Sequence, residues 1–263
     1  MSAKYFLTLK LNGISVRVET DYGDFYRYVQ RHFHKVLVPE LTGCDISVRV
    51  LWRKKIGLTR DKEILVGGNT AFDGRRVATV RKIARRKKVC FDMTIQDRRL
   101  VLDATVAYDA LKNFLQYQVL KQPQEPLFFD LVYPLVYYPV FWFLEYFRDI
   151  HVLHASAVNV GDRGVVICGL EGMGKTTMSL SFLREPGAQF FSDNLLFYDQ
   201  GQIYPCYEPI RIHQGEDPSL WQGKFVKIND FWTMKDFFEP VDGICAQKGR
   251  PDVFIIPRFG RSF

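Results

Sequence analysis

The sequence predicts an α/β phosphate-loop domain preceded by a smaller β-rich module that also contains helix. Residues 169–176 fit the phosphate-loop pattern G-x-x-x-x-G-K-[ST]. The apolar residues 164–168 before them are typical of a buried strand, and residues 177–183 after them of the first turns of a helix. Towards the start of the chain, short alternating segments separated by turns indicate the mostly β module.

The length and charge of the chain favour two parts. Its 263 residues are 47% apolar, which is enough for one large domain or two modest ones. Residues 1–110 carry 22 Lys/Arg against 12 Asp/Glu, whereas residues 111–263 carry 14 against 17. A basic front and a mildly acidic back suggest separate partners.

The cysteines and the start of the chain predict a cytoplasmic protein. The five cysteines are scattered and form no C-x-x-C pair, so neither a zinc site nor a disulfide framework is expected. The first residues lack the pattern of a signal peptide.

The front module begins with a predicted hairpin. Two β-rich runs, residues 5–11 and 14–18, flank Asn12-Gly13, which is a strong hairpin signal. Residues 24–38 have helical spacing, and His32 and His34 are expected at the surface, as is His213. Further strands are predicted at residues 45–52, 63–67, 77–80, 88–94 and 99–106.

A helical connector is predicted between the two parts. Residues 110–120 have helical spacing, and residues 127–147 are the most apolar segment. The longest uncharged stretch, 131–144, has 14 residues and contains Pro134 and Pro139, whereas a membrane span needs about twenty apolar residues. We therefore expect a buried helix or helix pair, with no membrane span. The predicted organisation is a basic β-rich module at 1–110, a helical connector packed on the phosphate-loop core at 111–150, and the phosphate-loop domain at 151–263.

The last segment, residues 251–257, is predicted to be a buried strand. The chain then ends on a charged loop. This pattern fits a domain shortened at its carboxyl end or one with a small C-terminal lobe, and the sequence leaves both open.

The phosphate-loop residues predict a nucleoside triphosphate site. Glycines let the backbone bend so that its N–H groups point at phosphate oxygens, and the helix N-terminus adds a partial positive charge. Lys175 can reach the β- and γ-phosphates, and the hydroxyl of Thr176 can bind Mg²⁺. The predicted nucleotide-binding residues are Gly169, Gly172, Met173, Gly174, Lys175, Thr176 and Thr177.

An acid and a histidine are the candidate catalytic groups near this loop. Asp193 lies 18 residues after Lys175, in an apolar run predicted as a strand. A carboxylate there can accept a proton from an incoming hydroxyl or bind Mg²⁺; the alternative is an Asp that caps a turn beside Asn194. His154 precedes the phosphate-loop strand and either orients Asp193 and adjusts its pKa or is a core histidine with its own partners.

The chain resembles a kinase family. Residues 153–158, 169–177, 192–194 and 204–210 occur in the order and approximate spacing of the HPr kinase/phosphorylase-related kinases, over about residues 125–260. The resemblance implies a fold similar to ATP-dependent phosphoenolpyruvate carboxykinase. It also implies ATP and Mg²⁺ as cofactors and a hydroxyl acceptor, which is a serine of a carrier protein, free serine or a serine of a ribosomally made precursor peptide.

The same resemblance assigns roles to four residues. Lys175 would contact the phosphates, Thr176 would bind Mg²⁺, Asp193 would be the catalytic acid/base and metal contact, and His154 would be its neighbour. The chain has Asp193-Asn194 where the family often has two acids, and Thr176-Thr177 where the carrier-protein kinases usually have Ser-Glu. It is therefore more similar to the divergent related kinases than to HPr kinase itself.

Further charged residues are weaker candidates. Glu171, inside the loop, either faces outward or contacts a substrate amine or hydroxyl. An arginine could stabilise the transferring phosphoryl group, and Arg258 is favoured because it follows the last apolar strand. The other arginines considered for this role are Arg211, Arg250 and Arg261.

The basic cluster at residues 75–88, in which eight of 14 residues are Lys or Arg, is either a solvated face or a docking patch. An acidic peptide or protein is favoured over nucleic acid as its partner, because no aromatic residues are interleaved with the basic ones.

The sequence thus predicts an ATP-dependent serine kinase that transfers the γ-phosphoryl group to a hydroxyl of a peptide or protein, including a precursor peptide. The alternative is a nucleotide-binding regulatory or assembly module with weak or no transfer activity. An oligomer is compatible with either.

Overall fold

The computed structural model describes residues 4–41, 43–54, 64–65, 70–72, 76–83, 87–229 and 235–258. It divides into two compact units, Met1–Phe147 and Arg148–Phe263. The division falls after Phe147, at the end of the apolar helical segment.

The first unit contains a nine-stranded sheet with the order β3-β1-β2-β4-β9-β8-β7-β6-β5. The hairpin predicted around Asn12-Gly13 joins β1 and β2, and both turn residues have positive φ, as a two-residue hairpin turn requires. β4 pairs in parallel with β2 and β9. The strands are β1 Tyr5–Leu11, β2 Ile14–Thr20, β3 Leu37–Val38, β4 Ile46–Arg53, β5 Ile64–Leu65, β6 Thr70–Phe72, β7 Arg76–Ile83, β8 Lys87–Gln96 and β9 Arg99–Ala107.

Helix α1 (Gly23–His32) connects β2 to the segment before β4 and ends earlier than the predicted residue 38, where a 3-10 turn, His34–Val36, follows. Its apolar face is buried, with Phe25 and Val29 fully covered. His32 on this helix is also buried, which corrects the surface position expected for it. Its Nε2 lies 3.0 Å from the Tyr137 hydroxyl, and burial lowers the pKa of His32 to about 3.

The helical connector belongs to the first unit. It consists of α2 (Ala110–Asn113), a π-helical turn (Phe114–Val119), α3 (Glu125–Val132), a second π-helical turn (Tyr133–Tyr137) and α4 (Tyr138–Arg148). The second π turn contains Pro134, which lacks the N–H that a regular helix would use there. The Phe25 and Phe128 rings pack edge to face at 5.6 Å, so α3 packs against α1 within the first unit. The packing of the connector on the phosphate-loop core stays a prediction.

The helical stretch Glu125–Arg148 is long and apolar enough to cross a membrane by length and composition, and 72% of its most apolar window is buried within the protein. Core helices of this kind meet the same length and composition test, so the buried helix pair stays our prediction.

The second unit contains a four-stranded sheet, order β13-β11-β12-β19, and two three-stranded sheets, orders β10-β14-β15 and β16-β18-β17. Its helix, α5 (Lys175–Phe182), follows β12 and precedes β13, as predicted for a phosphate-loop unit. The strands are β10 His151–Leu153, β11 Ala155–Val160, β12 Arg163–Cys168, β13 Gln189–Ser192, β14 Leu196–Asp199, β15 Gln202–Pro205, β16 Ile210–His213, β17 Phe225–Asn229, β18 Lys235–Pro240 and β19 Pro251–Ile255.

Both faces of the four-stranded sheet are packed near its centre. Val165 and Ile167 belong to a cluster that includes Leu180 of α5, whereas Val166 belongs to a second cluster with Leu196 and Ile203. Alternate residues of β12 thus enter separate cores, which explains the continuous apolar run in the sequence. The position of the loop after β12 is fixed by this two-sided packing.

Two predicted strands differ from the structure. β19 is not fully buried, because Val253 and Ile255 pack on the core while Phe254 is 58% exposed. The run predicted as one strand around Asp193 is divided into β13 and β14, and Asp193 lies in the connection between them. A connection rather than a strand brings this carboxylate to the edge of the sheet.

Candidate functional site

The loop between β12 and α5 has the backbone conformation that its glycines predict. Gly169, Gly172 and Gly174 have φ values of 154°, 81° and 80°. Gly174 is the residue before the first turn of α5, in a left-handed conformation that is unfavourable for residues with a side chain. The N-terminal N–H groups of α5, which lack partners within the helix, are therefore presented at the end of this loop.

Lys175 is held inside the loop and is only 8% exposed. Its Nζ donates hydrogen bonds to the carbonyl oxygens of Gly169, at 2.8 Å, and Leu170, at 3.1 Å. These contacts keep the ammonium group within the loop. There it can also contact an anion that the N–H groups of the loop bind.

Thr176 and Asp193 are in direct contact. The hydroxyl of Thr176 donates a hydrogen bond to Asp193 Oδ2 at 3.1 Å. The first turn of α5 and the connection after β13 therefore meet at one point, and the two residues predicted to bind Mg²⁺ lie together.

Asp193 has a second oxygen that is buried. Among the described residues, Oδ1 of Asp193 is buried and has no hydrogen-bond partner. Burial raises the pKa of Asp193, while the hydrogen bond from Thr176 and the nearby charges of Arg211, Lys175 and Lys235 lower it. The net shift is upward. A carboxylate made more basic in this way is a better proton acceptor.

Asn194 is hydrogen-bonded to a buried carboxyl. Its Nδ2 donates to both oxygens of Glu208, at 3.2 and 3.0 Å. Glu208 is 3% exposed, and burial raises its pKa to about 7, although Arg211 at 3.9 Å lowers it. An acid is therefore present beside Asn194 in space, although it is remote in sequence.

Lys175, Thr176, Asp193, Asn194 and Arg211 line one cavity of about 340 Å³ in the second unit. The phosphate loop and helix α5 contribute to it, as do the connection after β13 and strands β16 and β18. Its lining residues are His154, Glu171, Gly172, Gly174, Lys175, Thr176, Thr177, Asp193, Asn194, Arg211, His213, Glu216 and Lys235.

Some of the site residues predicted from the sequence line this cavity and others do not. His154 lines it but is not hydrogen-bonded to Asp193, and Glu171 lines it from the exposed part of the loop. Arg258 is exposed and is not part of the lining. Met173 lies against Gly169: a Cβ added to Gly169 would be 3.4 Å from the sulfur of Met173.

The basic cluster at 75–88 falls mostly outside the described part of the chain. Arg75, Arg85 and Arg86 are not described, and neither are the side chains of the other predicted members except Lys88, which is exposed. Its role as a docking patch stays a prediction.

Four lining or supporting residues were given no site role from the sequence. Glu208 lies in a segment that carried the resemblance, and a carboxylate among apolar neighbours is a signal that could have identified it. His213 and Lys235 gave no such signal, because the pairing of β16 with β18 brings them to the cavity, and Glu216 reaches it from the loop after β16.

The residues present fit a magnesium ion. Thr176 and Asp193 offer adjacent oxygen atoms, and one buried Asp193 oxygen lacks a partner among the described residues. Within that part of the chain, no three or more His, Cys, Asp and Glu side chains are grouped to hold a metal ion. Mg²⁺ in phosphoryl-transfer sites usually binds one or two carboxylates together with substrate phosphates, so such a group is not required.

No protein-family model matches the chain, and no curated protein is similar to it in sequence.

Proposed function

We propose that the protein is an ATP-dependent kinase that transfers the γ-phosphoryl group to a hydroxyl, most simply a serine of a peptide or protein. The observation that carries the proposal is the contact between Thr176 and Asp193 at a phosphate loop with left-handed glycines. A loop of this type alone serves many nucleotide-binding proteins. A carboxylate beside the hydroxyl of the loop can help to hold Mg²⁺ or accept the proton of an acceptor hydroxyl, and phosphoryl transfer uses both functions.

In the proposed reaction, the loop amides and Lys175 bind the phosphates of ATP. The oxygen of the acceptor hydroxyl forms a bond to the γ-phosphorus, and the bond between that phosphorus and the bridging oxygen of ADP breaks. Asp193 accepts the proton that the acceptor hydroxyl loses. Mg²⁺ held by Thr176 and Asp193 would neutralise charge on the phosphates. Positioning and electrostatics provide most of the catalysis in this class of reaction, so few other groups are needed.

The upward shift of the Asp193 pKa supports the role of general base. An acceptor of protons works best when its pKa is near the working pH, and burial moves the Asp193 carboxyl in that direction. Burial also raises the pKa of the neighbouring Glu208, to about 7.

A second candidate is a nucleotide-binding regulatory module with weak or no transfer. The specific observation in its favour is that Asn194, where the resemblance implies a second acid, donates its hydrogen bonds to Glu208. Both candidates predict that ATP binds, but only the kinase predicts that an acceptor becomes labelled.

The experiment measures the transfer of γ-labelled phosphate from ATP, in the presence of Mg²⁺, to serine-containing acceptors. Scintillation counting detects the label on the acceptor, and mass spectrometry detects the shift in its mass. We expect Asp193→Asn to lower the rate by about 10²-fold or more while ATP still binds, because the base is lost and the shape is kept. The matched control is Asp162→Asn, in an exposed turn outside the cavity, which should behave like wild type.

Three outcomes separate the candidates. Labelling that Asp193→Asn abolishes supports the kinase. Tight ATP binding with no labelling of any acceptor would favour the regulatory module. Absence of ATP binding would contradict both.

A further inference from the structure

Glu216 has a carboxylate in the cavity that neither the loop motif nor the proposed transfer step uses. It lies in the turn after β16, where its backbone N–H donates to the carbonyl oxygen of His213 at 3.0 Å. Its Oε1 accepts a hydrogen bond from the hydroxyl of Thr177 at 2.8 Å. Both Glu216 and Thr177 line the cavity. The first turn of α5 therefore holds this carboxylate beside the phosphate loop.

The second oxygen of Glu216 is open to a ligand. Within the described part of the chain, no group donates a hydrogen bond to Oε2, and this atom is not among the buried oxygens that lack a partner. An ionised carboxylate accepts hydrogen bonds but donates none. Any group that Glu216 binds in the cavity must therefore be a hydrogen-bond donor or a cation.

The position of Glu216 favours the nucleoside end of a bound nucleotide over its reacting end. Asp193 contacts Thr176, and Glu216 contacts the next residue, Thr177. Consecutive side chains on a helix point about 100° apart, so the two carboxylates approach the start of α5 from different sides. Lys175 and Thr176 serve the β- and γ-phosphates and Mg²⁺ at the reacting end, while amides of the loop bind the α- and β-phosphates. We therefore expect the α-phosphate and the ribose on the side of Thr177.

The groups of ATP on that side differ in what they offer a carboxylate. Phosphate oxygens are acceptors and carry negative charge, so they repel Glu216. The ribose has two hydroxyl groups that can donate hydrogen bonds, and acidic side chains bind ribose hydroxyls in dinucleotide-binding folds. Building on the nucleotide binding that the proposed function requires, we infer that Glu216 binds the ribose hydroxyls of the nucleotide and selects ribonucleotides, with Thr177 as the residue that positions its carboxylate.

Nucleotides that differ only in the ribose test this inference. The dissociation constants of ATP, 2′-deoxy-ATP and 3′-deoxy-ATP are measured by calorimetry in the presence of saturating Mg²⁺. We expect at least one deoxy analogue to bind the wild-type protein about tenfold or more weakly than ATP, the size typical of a hydrogen bond to a charged group. Binding of all three nucleotides with the same Kd would overturn the inference without the use of any variant.

Variants of Glu216 and Thr177 assign the preference to these residues. Glu216→Ala should bring the Kd values of ATP and the deoxy analogues to within about twofold of each other, by weakening the binding of ATP. Thr177→Val should reduce the preference by about threefold or more, and Thr177→Ser should retain it, because serine keeps the hydroxyl.

The matched control is Asp242→Asn, which removes an exposed carboxylate outside the cavity lining and should keep the wild-type preference. If Glu216→Ala bound all three nucleotides more tightly by one common factor, the carboxylate would face the phosphates, and the inference would be overturned.

The transfer assay distinguishes this inference from the kinase proposal. A ribose preference in binding that depends on Glu216, with no transfer to any acceptor, would refute the kinase and keep the ribose site. Transfer from ATP and from both deoxy analogues with equal Kd values would keep the kinase and refute the ribose site. An effect of Glu216→Ala confined to the KM of the acceptor would do the same, because the carboxylate would then belong to the acceptor site.

Discussion

The hydroxyl of Thr176 donates a hydrogen bond of 3.1 Å to Asp193 Oδ2, and this contact joins the first turn of α5 to the connection that follows β13. The two residues come from separate elements on one side of a sheet packed on both faces. Their relative position therefore depends on the core of the unit and not on a flexible local turn.

Replacement of Thr176 by Val should remove this contact with little change in shape. We expect phosphoryl transfer to fall by about tenfold or more, because Asp193 loses its donor and a magnesium ion loses a ligand. Thr176→Ser keeps the hydroxyl and should retain most activity. The measurement is kcat/KM as a function of Mg²⁺ concentration. Wild-type rates in the Val variant at all Mg²⁺ concentrations would refute the assigned role of the hydroxyl.

Gly164 should not tolerate a side chain. A Cβ at this position would lie 2.0 Å from the carbonyl oxygen of Arg250, at the point where β12 and β19 begin to pair. The two atoms nearest to the added Cβ, the carbonyl oxygen and carbonyl carbon of Arg250, belong to the backbone and cannot move aside easily. Gly164→Ala should therefore reduce the free energy of unfolding by about 3 kcal/mol. Gly215→Ala is the control, since nothing lies within 4 Å of its added Cβ. The stabilities of the two variants are measured by urea unfolding. Equal midpoints for the two variants would contradict the close approach of the Arg250 backbone to Gly164.

His32 should make the protein less stable as the pH falls. Its pKa is about 3 in the folded protein, against an ordinary value of 6.5, so the unfolded chain binds the proton first. The stability contributed by His32 is complete above pH 6.5 and is lost as pH falls towards 3, by roughly 2 kcal/mol at pH 5.

The measurement for His32 is the free energy of unfolding between pH 5 and 7.5 for wild type and His32→Gln. The slope with pH should be smaller in the variant, and His34→Gln, at an exposed position on the next turn, should keep the wild-type slope. An unchanged slope in His32→Gln would show that this histidine is not buried in its neutral form.

The stability that Glu208 contributes should depend on pH in the opposite direction to that of His32. Its pKa is raised from 4.5 to about 7, so the folded protein binds this proton more tightly than the unfolded chain. The stability from Glu208 is complete below pH 4.5 and is lost as pH rises to 7. Relative to wild type, Glu208→Gln should gain about 3 kcal/mol between these pH values, because glutamine does not titrate.

Measurement of the Glu208 effect needs a chelator, so that no divalent cation binds the carboxyl. Glu185→Gln, which removes an exposed carboxylate, is the control. A difference between Glu208→Gln and wild type that does not vary with pH would contradict the raised pKa.

Local signals in the sequence predicted much of the fold. The Asn12-Gly13 hairpin, the strand before the phosphate loop and helix α5 each depend on neighbouring residues, and each is present. Helical spacing also predicted the segment from Ala110 to Arg148. The packing of that segment on α1 could not be predicted, because it depends on aromatic contacts between residues about a hundred positions apart, such as Phe25 and Phe128.

The candidate site was predictable where it is local and not where it depends on pairing between distant strands. The loop and its lysine follow from one motif, and Asp193 follows from its short distance in sequence to that motif. The placement of His213 beside Lys235 depends on the pairing of β16 with β18, which the spacing of residues does not specify. The bond from Asn194 to Glu208 joins the two ends of the β14–β15 hairpin, a pairing that the sequence analysis did not predict. The exposure of Phe254 was missed because an apolar run predicts a strand but not whether a neighbour covers it.

The most direct test of the account is a crystal structure with Mg²⁺ and a non-hydrolysable ATP analogue. The account predicts that the triphosphate lies along the loop, that Lys175 Nζ leaves the carbonyl oxygens of Gly169 and Leu170 for phosphate oxygens, and that the Asp193 carboxylate faces the terminal phosphate. A structure in which the analogue binds elsewhere, or in which Lys175 keeps its contacts with those carbonyls beside bound nucleotide, would contradict it.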